Sequence, residues 1–299
     1  TATGVLSGTL STVGTFTFTV TATGFGTCAG SQTYALPVIP ACPSSFTVND
    51  LSDAPDVNVG DRVCAAANGA CTLRAAIQEA NANPGCSPLT INFNVTGTIT
   101  AATALPTISH PNLTINGPGA ASLTVRAAVA TTTIRVFDIT GAGNSVTING
   151  LTITGGNVTG LVSPDTFGGG LRNQGATVNV NNCVITANTA ERGGGLVLIG
   201  GTLTLSNSTL SSNTATDEGG AVENRGGTLT ASNSTFSANQ SLITGAGADG
   251  GRLYEGPGGR AVCCGGSGVH ESAGGRAVCR DGSGIYKGAG RRALWPGPL

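Results

Sequence analysis

The feature that most constrains the fold is a pattern that occurs three times between Gly168 and Ser241. The copies begin at Gly168, Gly193 and Gly219, which are 25 and 26 residues apart, and read GGGLRNQGATVNVNNCVITANTAER, GGGLVLIGGTLTLSNSTLSSNTATDE and GGAVENRGGTLTASNSTFSANQS. One unit of this length is too short to bury a core of its own, so such units stack on one another. We therefore expect a solenoid.

The composition favours strands over helices. Charged residues make up only 10% of the chain, which contains 48 Gly. Helix surfaces usually carry many Lys, Glu and Arg, whereas Thr, Val and Ile favour strands and Gly and Asn favour turns. Short strand-like runs follow one another from Leu89 onward: LTINF, NLTING, SLTVRA, TTIRVFDI and SVTINGLTITGG. A period of about 25 residues without crossover helices predicts an all-β chain with a right-handed parallel β-helix over residues 89–241.

Alignment of the three copies predicts which side chains face inward and which occupy the corners. The apolar columns expected inside are Val178, Leu203 and Leu229; Val180, Leu205 and Ala231; and Ile185, Leu210 and Phe236. The asparagine columns are Asn182, Asn207 and Asn233, and Asn188, Asn213 and Asn239. Asn tolerates left-handed turns and stacked amides can bond along the axis, so we predict two asparagine ladders. N-glycosylation of the Asn-Ser-Thr sequences at Asn207 and Asn233 is the alternative.

Clusters of Gly open each copy, at residues 168–170, 193–195 and 219–220. They predict sharp turns in which a Cβ would clash. No Lys-Ser or Lys-Thr follows them and no helix begins there, so they do not indicate a phosphate-binding loop.

The sequence CTLRAAIQEANANPG contains the clearest helix, which we predict over residues 72–82. Thr72 suits the N-cap, and Asn83-Pro84-Gly85 ends the pattern. The apolar residues that share one face are Leu73, Ala76, Ile77 and Ala80. An amphipathic helix directly before the stack predicts a cap over the open apolar end of the first coil.

The first 40 residues are predicted to form short strands of an incomplete β-sandwich. Strand-like runs occupy 14–24 and 31–39. The apolar face of the first run is formed by Phe16, Phe18 and Val20. Residues 41–88 follow as a linker and cap segment.

Nine Cys in a chain with few charges favour disulfides and an oxidising, extracytoplasmic setting. A Cys28–Cys42 bridge would join the turn between the first two strands to the exit of that segment. Zinc is the alternative for Cys64 and Cys71, but no Cys-x-x-Cys or His pair lies beside them, which favours a disulfide. The pairing of the other cysteines stays open: Cys86, Cys183, Cys263, Cys264 and Cys279.

The net charge of −1 gives no electrostatic footprint for nucleic acid or an anionic membrane. No apolar run approaches the roughly 20 residues that span a bilayer. The chain contains no Met and begins abruptly at Thr1, so we expect a fragment.

Acidic and amide side chains cluster before the predicted helix, at Asp50, Asp53, Asp56, Asn58 and Asp61. A calcium-binding loop is one interpretation. However, the glycine of the sixth position is missing and Ala67 stands where the closing Glu belongs. We therefore expect solvated turn acids and no metal site.

The run FTVNDLSDAPDVNVGDRVC, followed by CTLRAAIQEAN, resembles the CSLREA-type segment that opens many secreted bacterial parallel β-helix proteins. In this chain Thr72 replaces Ser and Ala75 replaces Glu, and neither change disturbs the expected cap. A disulfide between Cys64 and Cys71 would close the loop before this helix.

The GGG-x-x-N, NST and NTA elements are similar to the repeats of polymorphic outer-membrane proteins and adhesin-like β-helices, closely over 168–241 and loosely over 89–157. The run GTFTFTVTATG and the following SQTY resemble the last strands of immunoglobulin-like domains of bacterial surface proteins. These resemblances imply a pectin lyase-like solenoid that is secreted or held at the cell surface, with a structural and interaction role.

Carbohydrate-active enzymes also use this fold, and glycosidases need two carboxylates about 5–10 Å apart. The acids near the coil junctions are Glu191, Asp217, Glu218 and Glu223. The arginines Arg126, Arg135, Arg172 and Arg192 are not obviously clustered with acids, and His110 is expected at the surface. We therefore interpret the acids as turn residues and expect no catalytic or cofactor-binding site.

The composition changes after Ser241, because residues 242–299 contain no Asn and carry GGRAVC at both 258 and 274. A disordered Gly/Arg-rich interaction tail and a set of small repeats are two interpretations. We favour a third, a frameshifted continuation of the repeat array.

The sequence thus predicts an adhesin-like structural or interaction protein, secreted or at the cell surface, without catalytic activity. Its expected partner is a surface ligand, either a glycan or a protein. The alternative function is a carbohydrate-active β-helix enzyme, either a polysaccharide lyase or a glycoside hydrolase.

Overall fold

The computed structural model describes residues 12, 14–23, 29–38, 40–128, 133–163 and 165–242, and strand segments at 253–255, 260–264, 277–281 and 284–285. The chain in these residues is mostly β, with several parallel sheets and a single helix. The all-β, solenoid-like organisation predicted from the repeat is confirmed at this level.

The first two strands form an antiparallel hairpin. Strands are numbered in chain order, and β1 (Gly14–Thr23) pairs with β2 (Ala29–Val38). Phe18 stacks on Tyr34 with ring centroids 5.6 Å apart. The two predicted runs are therefore strands, whereas their relation to immunoglobulin-like domains stays a prediction.

The largest sheet, called sheet 1, collects one strand from each successive coil. In spatial order its strands are β3 (Ser45–Val48), β4 (Leu89–Phe93), β6 (Asn112–Asn116), β9 (Ser145–Asn149), β12 (Thr177–Asn181), β16 (Thr202–Ser206), β20 (Thr228–Ser232), β24 (Arg260–Cys264), β25 (Ala277–Asp281) and β26 (Gly284–Ile285). Neighbours are parallel except β25 and β26, which are antiparallel.

Three further parallel sheets lie along the same stack. Sheet 2 contains β5 (Gly97–Ala101), β7 (Leu123–Ala127), β10 (Thr152–Thr154), β13 (Val184–Thr186), β17 (Thr209–Ser211) and β21 (Thr235–Ser237). Sheet 3 contains β8 (Phe137–Thr140), β11 (Leu171–Gln174), β15 (Leu196–Leu198), β19 (Val222–Asn224) and β23 (Leu253–Glu255). The short sheet 4 contains β14 (Thr189–Ala190), β18 (Thr214–Ala215) and β22 (Gln240–Ser241).

The apolar side chains stack in register along the axis. Leu205 pairs with Val180 on one side and with Ala231 on the other, and all three are buried. The column through Leu203 and the column through Leu210 are likewise aligned, so the predicted inward columns are confirmed. Because each strand alternates inward and outward residues, one face of sheet 1 supplies the core and the other meets solvent.

Shortening a core residue should destabilise the stack. We expect Leu205→Ala to lower the free energy of unfolding by about 2–5 kcal/mol, because it opens a cavity between two coils. Thr204→Ala, the outward neighbour in the same strand, should change it by less than about 0.5 kcal/mol. Urea denaturation followed by circular dichroism measures both; equal losses would contradict the inward assignment.

The glycine clusters allow adjacent coils to touch. A Cβ on Gly194 would lie 2.4 Å from the carbonyl oxygen of Thr214, and one on Gly220 would lie 2.3 Å from that of Gln240. Such contacts are shorter than any that a real Cβ makes. The close approach of backbones, as well as the turn itself, therefore requires Gly at these positions.

The helix α1 (Leu73–Ala82) begins one residue after the predicted start because Thr72 is its N-cap. The Thr72 hydroxyl accepts the N–H of Ala75 at 3.0 Å and donates to the carbonyl of Ala54 at 2.6 Å. Leu73 and Ile77 are fully buried in the same apolar cluster as Phe46 of β3. No helix in the described part of the chain is long and apolar enough to cross a membrane.

Two disulfides lie around this helix. Cys64 is bonded to Cys71, and Cys42 is bonded to Cys86 rather than to Cys28, so the expected Cys28–Cys42 bridge is wrong. The reason is the parallel pairing of β3 with β4, which begins shortly after Cys42 on one strand and after Cys86 on the other. Cys28 lies outside the described residues, and Cys183 is a buried free thiol whose pKa burial raises to about 11.

The acidic segment before α1 is bonded to its own backbone and to α1, so the expectation of solvated turn acids is wrong for Asp53 and Asp56. Asp56 accepts the N–H groups of Asn58 and Ala65, and Asp53 forms a salt bridge with Arg74 at 2.8 Å. The buried Glu79 of α1 accepts the N–H of Gly60 at 2.6 Å and the N–H of Arg62. Burial raises the pKa of Glu79, and these two N–H donors partly oppose the rise.

Parallel pairing continues beyond Ser241. β23 extends sheet 3, and β24 and β25 extend sheet 1. The other residues of 243–299 lie outside the described part of the chain, so the disordered and frameshifted interpretations both stay predictions.

Candidate functional site on the outer faces of the stack

Sheet 3 buries its outward side chains. The strand register aligns Asp138, Arg172, Val197 and Glu223 in one outward column. Val197 is 0% and Glu223 only 1% exposed, although both point away from the core. The long loop between β10 and β11 lies on this face, because Asp165 and Phe167 contact it.

Two groups of ion pairs occupy the face, and together they are called the sheet 3 cluster. It consists of Arg135, Asp138, Asp165, Arg172, Arg192, Asp217, Glu218, Glu223 and Arg225.

The first group centres on Arg172. Its guanidinium binds both carboxylate oxygens of Asp138, at 2.9 and 2.8 Å, and also Asp165 at 2.6 Å. Burial disfavours the charge on Asp138, but the bonds from Arg172 and the nearby Arg135 outweigh it and lower the pKa of Asp138. Arg135 donates to the carbonyls of Asp165, Phe167 and Gly168 and so fixes the loop on the sheet.

The second group centres on Arg192. It binds Asp217, approaches Glu218 at 2.8 Å and lies 3.6 Å from Glu223. Arg225 lies 3.7 Å from Glu223 and stacks over the ring of Phe167, with its guanidinium carbon 4.6 Å from the centroid. The Oε2 atom of Glu223 is buried and has no hydrogen-bond partner.

Burial has a large effect on Glu223. It raises the pKa of this carboxyl to about 7, against the opposing influence of Arg225 and Arg192. Glu223 is thus an acid of the cluster whose pKa lies near neutral pH. A shift of this kind occurs both in catalytic acids and in structural ion-pair networks.

The structure brings together three of the four acids noted in the sequence. Asp217, Glu218 and Glu223 meet on Arg192, whereas Glu191 accepts a hydrogen bond from the hydroxyl of Thr166 at 2.5 Å. The expectation that the arginines are not clustered with acids is wrong for Arg135, Arg172 and Arg192. Arg126 forms no ion pair within the described residues, and its Nε is buried without a partner.

The expectation that His110 lies at the surface is also wrong. His110 is fully buried, and burial lowers its pKa. The side-chain oxygen of Asn81 in α1 accepts the N–H groups of Ser109 and His110, at 3.0 and 3.2 Å. This pair of bonds draws the turn before β6 against the helix.

The inner asparagine column forms a continuous ladder. The amide of Asn188 donates to Asn213 at 3.0 Å, and that of Asn213 donates to Asn239 at 2.9 Å. Each amide also donates to a carbonyl of the preceding coil, such as that of Ile185 at 2.9 Å from Asn213. All three side chains are fully buried, so the ladder satisfies backbone groups at this corner.

The outer asparagine column is different. Asn182, Asn207 and Asn233 adopt left-handed φ values of 53°, 50° and 49°. They are exposed, and no side-chain bond joins them to one another within the described residues, so the predicted outer ladder is wrong. The amide of Asn182 instead donates to Asn149 at 2.8 Å, which belongs to an exposed row of amides along sheet 1.

Sequence reasoning missed a further pair of buried amides. Asn173 donates to Ala176 O at 2.9 Å, and Asn224 donates to Gly227 O at 3.0 Å, in equivalent turns after sheet 3. Their signal was present in the sequence, because both are the sixth residue of a repeat copy, in GGGLRN and GGAVEN.

The outer face of sheet 1 carries no charge between β3 and β20. This surface, called the sheet 1 face, has three columns: Asn112, Ser145, Thr177, Thr202 and Thr228; Ser45, Thr90, Thr114, Thr147, Asn179, Thr204 and Thr230; and Thr47, Asn92, Asn116, Asn149, Asn181, Ser206 and Ser232. All of these residues are half-buried or exposed. The face is a regular array of hydroxyl and amide groups.

The described residues contain no group of three His, Cys, Asp or Glu side chains that could hold a metal ion. Comparison with protein-family models, curated proteins and solved structures finds no match to the chain.

Breaking the inner ladder should be costly. Asn213→Ala removes the partner of the buried Asn188 amide and of the Ile185 carbonyl, so we expect a loss of about 3 kcal/mol in the free energy of unfolding. Asn207→Gly keeps the left-handed turn of the exposed column and should cost less than about 0.5 kcal/mol. Thermal and urea unfolding measure both; a small effect of Asn213→Ala would contradict the ladder as a stabilising element.

The raised pKa of Glu223 makes stability depend on pH. The folded chain holds this proton more tightly than the unfolded chain, whose carboxyl titrates near 4.5. The contribution of Glu223 is therefore complete below about pH 4.5 and is lost as the pH rises to about 7. At about 1.4 kcal/mol per pKa unit, the loss is about 3 kcal/mol.

Urea denaturation between pH 4 and pH 8 measures this dependence. Glu223→Gln should reduce the slope by the contribution of this one group and be more stable than the unmodified chain at pH 8, whereas Glu191→Gln should keep the slope. An unchanged slope in Glu223→Gln would assign the effect to another group.

Proposed function

We propose that this chain is a right-handed parallel β-helix, capped by α1, that acts as an adhesin-like interaction protein secreted from the cell or held at its surface. The observation that carries the proposal is the sheet 1 face, which presents uncharged hydroxyl and amide groups along successive coils. Hydroxyls and amides both donate and accept hydrogen bonds, so they suit a neutral polar ligand.

The position of α1 supports its role as a cap. β3 is the terminal strand of sheet 1, and Leu73 and Ile77 lie in one apolar cluster with Phe46 of that strand. The first coil of a solenoid has no preceding coil to cover its apolar end, and a terminal element must do so.

The disulfides support an extracytoplasmic location. The pairs Cys42–Cys86 and Cys64–Cys71 both lie in the segment that leads into the stack. Disulfides of this structural kind persist in oxidising compartments.

The sheet 3 cluster favours a structural role for the acids. Asp138 and Asp165 are bonded to Arg172, and Asp217 and Glu218 to Arg192. Carboxylates that are neutralised in this way hold the long loop and neighbouring coils together. Glu223 is almost fully buried, which keeps it from a polymer on the surface.

A glycan, polysaccharide and cell-surface protein array with the full chain tests the proposal. We expect retention of a neutral ligand without cleavage. Thr204→Arg should abolish retention because it places a charge in the centre of the sheet 1 face. Val162→Arg, in a loop where Val162 is 84% exposed, is the matched control and should retain binding. Cleavage of any polymer, or equal loss in both variants, would contradict the proposal.

One observation favours the second candidate, a carbohydrate-active enzyme. Glu218 and Glu223 both contact the Nη1 atom of Arg192, at 2.8 and 3.6 Å, so their nearest oxygens are at most 6.4 Å apart, the sum of these distances. Glycosidases place their two carboxyls at about 5–10 Å, with the pKa of the acid raised. In this case Glu223 would be the proton donor, and Glu223→Gln would abolish cleavage measured as release of reducing ends.

A further inference from the structure

The sheet 1 face repeats in two directions. Along the axis, each outward residue has an in-register partner on the next coil, as in Thr147, Asn179, Thr204 and Thr230. Parallel strands are about 4.8 Å apart, and alternate residues of a strand are about 6.6 Å apart. The polar groups therefore form a two-dimensional lattice with these two periods.

The hydroxyls of the lattice are available to a ligand. Within the described residues, the side chains of Thr90, Thr114, Thr147, Thr204 and Thr230 form no hydrogen bond to another side chain or to the backbone. The neighbouring column differs, because Asn116 donates to Asn92 at 3.2 Å and Asn149 donates to Asn116 at 2.9 Å. Thr side chains are stiff about χ1, so little conformational entropy is lost when the array binds.

The dimensions of the face limit its occupant. Seven strands from β3 to β20, each about five residues long, cover roughly 450 Å² at these spacings. A stable dimer buries about 800 Å² on each partner, so a second copy of the chain is too weakly held. Small ligands bind in concave pockets, which an open sheet face does not offer. With a second copy and a small ligand excluded, the ligand that fits this face is an extended, periodic and uncharged surface.

We propose that the sheet 1 face binds the surface of ice crystals. The inference rests on the proposed function, since it names the ligand of that same face. The axial period is close to the oxygen repeat along the a axis of hexagonal ice. Thr and Ser hydroxyls match water in both donating and accepting hydrogen bonds. The absence of charge from the face fits a neutral lattice, because a charged side chain would have to be desolvated against it.

Ice growth with the purified full chain tests this inference. The readouts are the shape of a single ice crystal, the gap between melting and freezing temperatures, and the rate of recrystallisation. We expect the chain to facet ice crystals and to slow recrystallisation. Thr147→Arg and Thr204→Arg should lose both effects. Thr209→Arg, five residues from Thr204 in the same coil but on sheet 2, should retain them.

Circular dichroism and urea unfolding establish that each variant is folded before ice is tested. Ordinary crystal growth in the presence of the unmodified chain would overturn the inference, as would equal loss in Thr209→Arg. A third outcome separates the two proposals: ice growth is unaffected, the chain retains a polymer of the array, and Thr204→Arg abolishes that retention. In this case the ice inference fails while the proposed interaction function stands. If neither ligand is bound, both fail.

Discussion

The in-register parallel pairing of successive coils is the constraint on which the whole structure depends. Each strand takes its hydrogen bonds from the coil before and the coil after, so no coil can shift without breaking two ladders. A shift by one residue would also exchange the inward and outward faces of every strand. Leu205, held between Val180 and Ala231, shows how this register places apolar side chains on one another.

The same register acts on the outer surface, with different consequences on different sheets. On sheet 1 it aligns hydroxyls and amides that carry no charge. On sheet 3 it aligns charges, and like charges on adjacent strands would repel. The outward column of sheet 3 avoids this by setting Arg172 beside Asp138 and the apolar Val197 beside Glu223. A long loop then covers the column, which leaves one outer face buried and another open.

The parts of the structure that follow from local periodicity could be predicted from the sequence. These include the inward columns through Leu203 and Leu205, the N-cap of α1 and the inner ladder through Asn213. The parts that depend on how distant segments of the chain meet could not be predicted from the sequence. Cys42 meets Cys86 because two strands begin side by side, and Arg172 meets Asp138 and Asp165 through strand register and a long loop. His110 is buried because a helix amide draws in its turn, which no nearby residue signals.

Within the three copies of the repeat, coil length changes at one corner. The second copy of the repeat is one residue longer than the first, and the additional residue falls between Asn213 and Gly219, the segment that carries Asp217 and Glu218. The strands on either side keep their register across this change. A protein built in this way can acquire insertions at that corner without repacking its interior, so the partners of Arg192 occupy a part of the molecule that can diverge between related chains.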